Sequence, residues 1–180
     1  PDFRQRIFLP AAVGQLEGRH HGPRWGCVML SSDEVLALIP QAKPFRFIDR
    51  LLELTDSRAV GEYTYRPDET FYPGHFPGNP VTPGVILIET MCQTGLVALG
   101  IYLLGLELPR EEVAKTVTLF TESEVEFERV VRPGETVRVT AEKVFWRRRK
   151  LKSNVVLTLA DGTPVAKGTV AGMGVSRDNF

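Results

Sequence analysis

Two ionisable side chains, His75 and Glu89, stand at positions that are poorly suited to ordinary surface or core roles. His75 lies in the run GHFPGNPVTPG, residues 74–84, whose three glycines and three prolines fix the backbone and let a ligand approach closely. Glu89 is the single acid in the apolar stretch that follows, where a carboxyl is unfavourable unless it has a function or a partner. Because an imidazole titrates near neutral pH, the pair predicts acid–base chemistry.

The glycine- and proline-rich run also predicts where a long helix begins. Thr82 is suited to cap this helix, and Pro83 is suited to its first position. The amides of Gly84 and Val85 would then have no partner within the helix. If the Thr82 hydroxyl caps Val85, only the Gly84 amide stays available to a ligand. The apolar pattern predicts that the helix ends near Gly105.

Composition narrows the class of protein. The 180 residues are 43% hydrophobic and carry 22 basic and 22 acidic side chains, which fits one packed domain and gives no sign of a nucleic-acid or membrane partner. The two cysteines, Cys27 and Cys92, are far apart, which argues against a disulfide scaffold or a zinc site and favours a reducing, cytoplasmic setting. Residues 85–104 are long enough to span a bilayer, but Glu89, Gln93 and two glycines interrupt them, so we expect a soluble core helix.

The chain divides into two parts. Residues 1–28 lack a convincing amphipathic period, so we expect an N-terminal extension. Residues 29–180 form the expected single domain, in which Ser31 and Glu34 predict a capping box before a short helix over residues 34–39.

The remaining pattern predicts strands on both sides of the long helix. Residues 45–54 and 59–65 read as a hairpin, and from Thr116 onward apolar and polar residues largely alternate. Turns at Pro133-Gly134 and Asp161-Gly162 join the later strands into a meander. The expected fold class is therefore α+β, with an antiparallel sheet curled around a long central helix.

Three segments carry a resemblance to a known family. PFRFIDR (residues 44–50), YPGHFPGNPVTPGVILIETMCQ (residues 72–93) and FERVVRPGETV (residues 127–137) resemble the β-hydroxyacyl-acyl-carrier-protein dehydratases of fatty acid synthesis, and the similarity covers about residues 29–175. The resemblance implies the hotdog fold and dehydration of 3-hydroxyacyl thioesters to trans-2-enoyl thioesters. It implies a substrate carried on the phosphopantetheine of acyl carrier protein, and no metal or other cofactor. It also implies a homodimer or a trimer of such dimers, with each site shared between two subunits.

Dehydration assigns a role to each candidate residue. His75 would remove the α-proton, and Glu89 would protonate the departing hydroxyl or orient a water for it. The amides of Gly84 and Val85, at the positive end of the helix, would bind the thioester oxygen. By resemblance, Gln93 would hold the carboxyl from one helical turn away. A glutamate at position 89 is typical of the non-isomerising members of the family.

Other segments leave alternatives open. The basic run Arg147, Arg148, Arg149 and Lys150 would dock an acidic carrier protein, or would be only a solvated hairpin end. Gln41-Ala42-Lys43 departs from the His-Arg-Tyr type sequence usual in the family. Two alternatives stay open. One is a hotdog thioesterase on the same fold, and the other is a non-catalytic subunit that binds acyl carrier protein, for which this departure and the N-terminal extension leave room.

Overall fold

The computed structural model describes residues 29–179; the expected extension over residues 1–28, with Cys27, lies outside the described residues. The helices are the N-terminal helix Ser32–Leu38, the central helix Gly84–Gly105, a short helix Arg110–Ala114 and a 3-10 turn Arg177–Asn179. The strands are β1 Arg50–Leu54, β2 Arg58–Thr64, β3 Thr116–Phe127, β4 Thr136–Arg147, β5 Lys150–Leu159 and β6 Pro164–Ser176.

The six strands form one antiparallel sheet in the order β1-β2-β4-β5-β6-β3. The predicted meander is confirmed for β4, β5 and β6, whose second turn is closed by Gly162 at φ +89°. It is wrong for β3, which does not pair with β4 but crosses to the far side of the sheet and pairs with β6. As a result, β3 is an edge strand of 12 residues, most of them exposed.

The central helix is the core of the domain. Met91, Leu96 and Leu99 are fully buried against strands β2, β4, β5 and β6. The sheet and helix approach so closely at Gly95 that an added Cβ would lie 2.8 Å from Val155 Cγ1. Although the helix is apolar enough to cross a membrane, 72% of its most apolar window is buried inside the protein, in agreement with the predicted core helix.

Of two features predicted near the start of the domain, the capping box is present, but the first strand begins later than expected. The capping box is confirmed: Glu34 N–H donates to Ser31 Oγ, and Ser31 N–H donates to Glu34 Oε2. The first strand is shorter than predicted, because residues 45–49 are not part of it. Phe47 N–H donates instead to the Gln93 side chain, so a side chain takes the place of a neighbouring strand.

Candidate active site

The loop before the central helix holds His75 by its backbone and by its ring. His75 N–H donates to Phe71 O at 3.1 Å, and His75 O accepts from Val81 N–H at 3.0 Å. The ring atom Nδ1 lies 2.9 Å from Val81 O. Since a carbonyl oxygen can only accept, Nδ1 carries the hydrogen, and in the neutral imidazole Nε2 has the free lone pair. The half-buried His75 therefore presents a base at Nε2.

The predicted cap of the central helix is wrong. The N-cap residue is Pro83, which has no hydroxyl, and the Thr82 hydroxyl is 2.7 Å from the Tyr72 hydroxyl. Thr82 is turned inward because its own N–H donates to Val131 O at 2.7 Å. Within residues 29–179, neither the Gly84 nor the Val85 amide has an acceptor, so both are available to a ligand rather than Gly84 alone.

Glu89 lies one and a half turns into the central helix and is half-buried. Burial raises the pKa of its carboxyl, while hydrogen bonding by the side chains of Gln93 and Gln41 lowers it by less. Gln93 Nε2 lies 2.8 Å from Glu89 Oε1. The expected raised pKa is therefore present, together with a donor that fixes the carboxyl.

Gln93 is held on three sides. Its Nε2 also donates to Phe45 O at 2.8 Å, and its Oε1 accepts from Phe47 N–H at 2.7 Å. Gln93 is also the first residue of a π-helical segment, Gln93–Ala98, inside the central helix. Such wide turns change the direction of side chains and are frequent at functional sites.

The candidate residues are not all brought together in one chain. His75 and Glu89 share no hydrogen bond, and each is held by partners of its own. Arg149 borders a crevice with Gly100 and Leu104. These residues of the central helix lie beyond Glu89 by up to 15 positions, or about 20 Å of helix. The basic run is thus remote from the Glu89 of the same chain.

Sequence reasoning noticed Gln41 only as a departure from the family pattern and gave it no place in the site. In the structure Gln41 is one of two side chains that lower the pKa of the Glu89 carboxyl, and its own Oε1 is buried without a hydrogen-bond partner among the described residues. The structure also brings the Phe127 ring to the helix start, where a Cβ added at Gly84 would lie 3.3 Å from that ring. The signal available for Gln41 was a polar side chain just ahead of the PFRFIDR segment.

The chain is similar in sequence to known proteins over most of its length. The family model for the FabA-like domain matches residues 39–169. The 3-hydroxyacyl-[acyl-carrier-protein] dehydratase FabZ of Chloroflexus aggregans is 42% identical over 134 residues, which cover 74% of this chain and 88% of that protein. The protein of the same name from Herpetosiphon aurantiacus is 39% identical over 141 residues, which cover 78% of this chain and 94% of the relative.

Solved structures of low sequence identity support the fold. The dehydratase heterocomplex ApeI:P from Xenorhabdus doucetiae matches with a TM-score of 0.63 at 14% identity, over 80% of this chain and 92% of that one. A thioesterase from Haemophilus influenzae matches with a TM-score of 0.60 at 11% identity, over 83% and 94% of the two chains. These neighbours establish the hotdog fold, and the sequence relatives establish the family. The chain belongs to the FabZ-type 3-hydroxyacyl-[acyl-carrier-protein] dehydratases within the FabA-like family, as its motifs predict.

Proposed function

We propose that this enzyme removes water from 3-hydroxyacyl thioesters on acyl carrier protein and gives trans-2-enoyl thioesters for fatty acid or related acyl-chain biosynthesis. Two observations carry the proposal: the Nε2 of His75 has no hydrogen-bond partner within the described residues, and Glu89 is a half-buried acid of raised pKa. The imidazole is suited to take a proton from the substrate, and the carboxyl is suited to give one.

His75 begins the reaction as the base. Its Nε2 takes a proton from the carbon next to the thioester carbonyl, and the electron pair moves toward that carbonyl. The Val81 carbonyl oxygen accepts from Nδ1–H and stabilises the imidazolium that forms. The same hydrogen bond keeps the ring in the tautomer that the reaction requires.

Glu89 completes the elimination as the acid. As the carbon–oxygen bond breaks, the carboxyl proton goes to the departing hydroxyl and water is released. Because burial raises the pKa of Glu89, the neutral acid persists to a higher pH than in an exposed glutamate. The proton on His75 then returns to Glu89 through solvent, so the cycle closes without a metal or cofactor.

The start of the central helix stabilises the negative charge that builds on the thioester oxygen. In the part of the chain that the structure describes, the amides of Gly84 and Val85 have no acceptor, and they lie at the positive end of the helix. Such preorganised donors typically contribute a factor of about 100 or more to the rate. Gly84 also lets the substrate come close to the backbone.

A second copy of the chain completes the site. Edge strand β3 is paired on one side, and its large side chains Leu119, Phe120 and Phe127 are exposed. Next to the catalytic loop, Val85 is 72% exposed and Phe76 is 55% exposed. A long apolar edge that is left uncovered promotes association. Pairing through this edge would bury these groups and bring His75 of one subunit toward Glu89 of the other.

The β4–β5 turn is the proposed docking point for the carrier protein. Arg148 and Arg149 have φ of +51° and +61°, where glycine or asparagine would be favoured. Arginines in these positions indicate that the side chains serve a purpose other than turn formation. Arg147 and Arg148 have no ion pair within the described residues, whereas Lys150 Nζ is 2.6 Å from Glu122. The free pair would attract the acidic carrier at the surface of a soluble, cytoplasmic enzyme.

The test is direct. The purified enzyme should convert a 3-hydroxyacyl carrier protein, or its pantetheine surrogate, to the trans-2-enoyl thioester without moving the double bond. His75→Asn keeps a donor for Val81 O but removes the base, so turnover should fall at least 100-fold while the fold is retained. An unchanged rate in this variant would reject the mechanism. Free thiol released from a saturated acyl thioester would identify a thioesterase instead, and carrier binding without turnover would identify a non-catalytic subunit.

A further inference from the structure

The loop that carries His75, residues 72–82, is closed at its two ends by a pair of side chains. The hydroxyls of Tyr72 and Thr82 lie 2.7 Å apart, and both residues are buried. Burial raises the pKa of the Tyr72 phenol, and the hydrogen bond with Thr82 lowers it by less. The phenol therefore stays protonated at neutral pH, and the hydroxyl pair persists where the enzyme works.

The Tyr72 end of the loop is joined to the base by a tight turn. Tyr72 stands three residues ahead of His75. The N–H groups of Gly74 and His75 both donate to Phe71 O, at 3.2 Å and 3.1 Å. The Tyr72 ring also packs edge-on against the Phe71 ring, with centroids 4.7 Å apart. Because the turn leaves the backbone little freedom, a shift of Tyr72 would move the imidazole with it.

The Thr82 end of the loop is joined to the start of the central helix. Thr82 N–H donates to Val131 O at 2.7 Å, so this residue is held by its backbone as well as by its hydroxyl. A residue before proline is restricted to extended conformations, and the ring of Pro83 fixes its own φ, here −58°. Few backbone rotations therefore separate Thr82 from the amides of Gly84 and Val85.

We propose that Tyr72 and Thr82 are positioning residues, whose hydroxyl pair holds the His75 base at a fixed distance from the Gly84 and Val85 amides. This inference rests on the proposed dehydration, in which the base acts on the carbon next to the thioester carbonyl and the amides act on its oxygen. Because both hydroxyls are buried, they act through the loop and the helix start rather than on the substrate.

The hydroxyl pair adds to the bonds between His75 and Val81. Those bonds join His75 O and Nδ1 to the Val81 backbone in the half-buried part of the loop. The bond between Tyr72 and Thr82 lies in the core and closes the loop as a whole. Phenylalanine and valine would fill the same space, so the hydroxyls contribute direction rather than volume.

Two apolar substitutions separate positioning from folding. Tyr72→Phe and Thr82→Val each leave one buried hydroxyl without its partner, so each should lower Tm. The double variant leaves no such group and should recover most of the lost Tm. A pair that only supports the fold would recover turnover together with Tm. A pair that positions the base should leave kcat of the double variant about 10-fold below wild type, with little change in KM.

A second hydroxyl pair provides the matched control. Thr64 and Thr136, whose hydroxyls lie 2.8 Å apart, join β2 to β4 outside the loop. The double variant Thr64→Val with Thr136→Val should keep the wild-type kcat. Wild-type kcat in the Tyr72→Phe, Thr82→Val double variant would overturn the proposal, as would an equal loss of kcat in the control.

Hydrogen exchange without substrate separates this inference from the function it rests on. Val81 N–H, which donates to His75 O, should exchange about 10-fold faster in the Tyr72→Phe, Thr82→Val double variant than in wild type. It should exchange no faster in the control. An unchanged rate in the double variant would overturn the positioning role. A wild-type enzyme that forms no enoyl thioester would overturn the dehydration instead.

Discussion

Gln93 Nε2 lies 2.8 Å from Glu89 Oε1, although the helix widens into a π segment at Gln93 itself. Residues four apart on a helix face each other, so the bond forms across one turn. The opposite end of the Gln93 side chain is tied to the segment ahead of β1. The acid is thus oriented by the fold before any substrate arrives.

Replacing Glu89 by glutamine should lower activity and raise stability at neutral and alkaline pH. Burial raises the folded-state pKa above its ordinary value of 4.5, so the unfolded chain loses this proton first as pH rises. Stability contributed by the neutral acid is full below about pH 4.5 and is lost as pH rises through the folded pKa. Glu89→Gln keeps a neutral group at every pH, so its advantage should grow as pH rises through the folded pKa and should persist at higher pH.

The measurement is the free energy of unfolding in urea at pH 4 and at pH 8. Turnover in Glu89→Gln should fall about 100-fold or more. Asp56→Asn, which removes an exposed carboxyl in the β1–β2 turn, is the matched control and should show no such trend. A stability difference between Glu89→Gln and wild type that does not change with pH would contradict the buried, uncharged state.

Two inactive variants should restore activity when they share an oligomer. If His75 and Glu89 of different subunits form each site, a dimer of His75→Ala and Glu89→Ala chains contains one intact site and one doubly defective site. Random pairing makes half of the dimers mixed, so co-expressed variants should regain about a quarter of the wild-type turnover. Turnover no higher than that of the separate variants would mean that each site uses one chain.

Removing the Arg148 side chain should weaken use of the carrier-bound substrate alone. Arg148→Ala should lower kcat/KM for the acyl carrier protein substrate about threefold, and the effect should shrink at high salt. The pantetheine surrogate, which carries no acidic protein, should be used as before. Lys167→Ala is the control, because it also removes one positive charge. Lys167 lies about 20 Å along β6 from Met173, which pairs with Lys150 next to the β4–β5 turn. An equal loss in both variants would argue against docking at this turn.

Two glycines of the central helix should respond oppositely to alanine. At Gly95 an added methyl would meet Val155 Cγ1 at 2.8 Å and Ala141 Cβ at 3.1 Å, so Gly95→Ala should lose about 1–3 kcal/mol. At Gly100 the nearest atom is 3.7 Å away, so Gly100→Ala should gain about 0.5–1 kcal/mol from reduced chain entropy. Urea unfolding of both variants measures the difference, and equal values would contradict the close helix–sheet contact.

Local patterns predicted the elements whose stability is local. The capping box at Ser31 and Glu34 and the turn at Gly162 depend on residues a few positions apart, and both are present. The predicted start of the first strand is wrong, because residues 45–49 have a strand-like sequence but Phe47 N–H bonds to the side chain of Gln93, 46 residues away. Long-range partners of this kind leave no periodic signal.

The sequence by itself determined the family, the catalytic candidates His75 and Glu89, and the wrapping of a sheet around one apolar helix, because each depends on residue types and short spacings. Only the tertiary structure decided that Thr82 turns inward to Tyr72, that β3 occupies the far edge of the sheet, and that Gln93 binds the backbone of Phe45 and Phe47. These three features depend on contacts between segments that are distant in the chain. Such contacts form only when the whole core packs, so the spacing of residues along the sequence does not specify them.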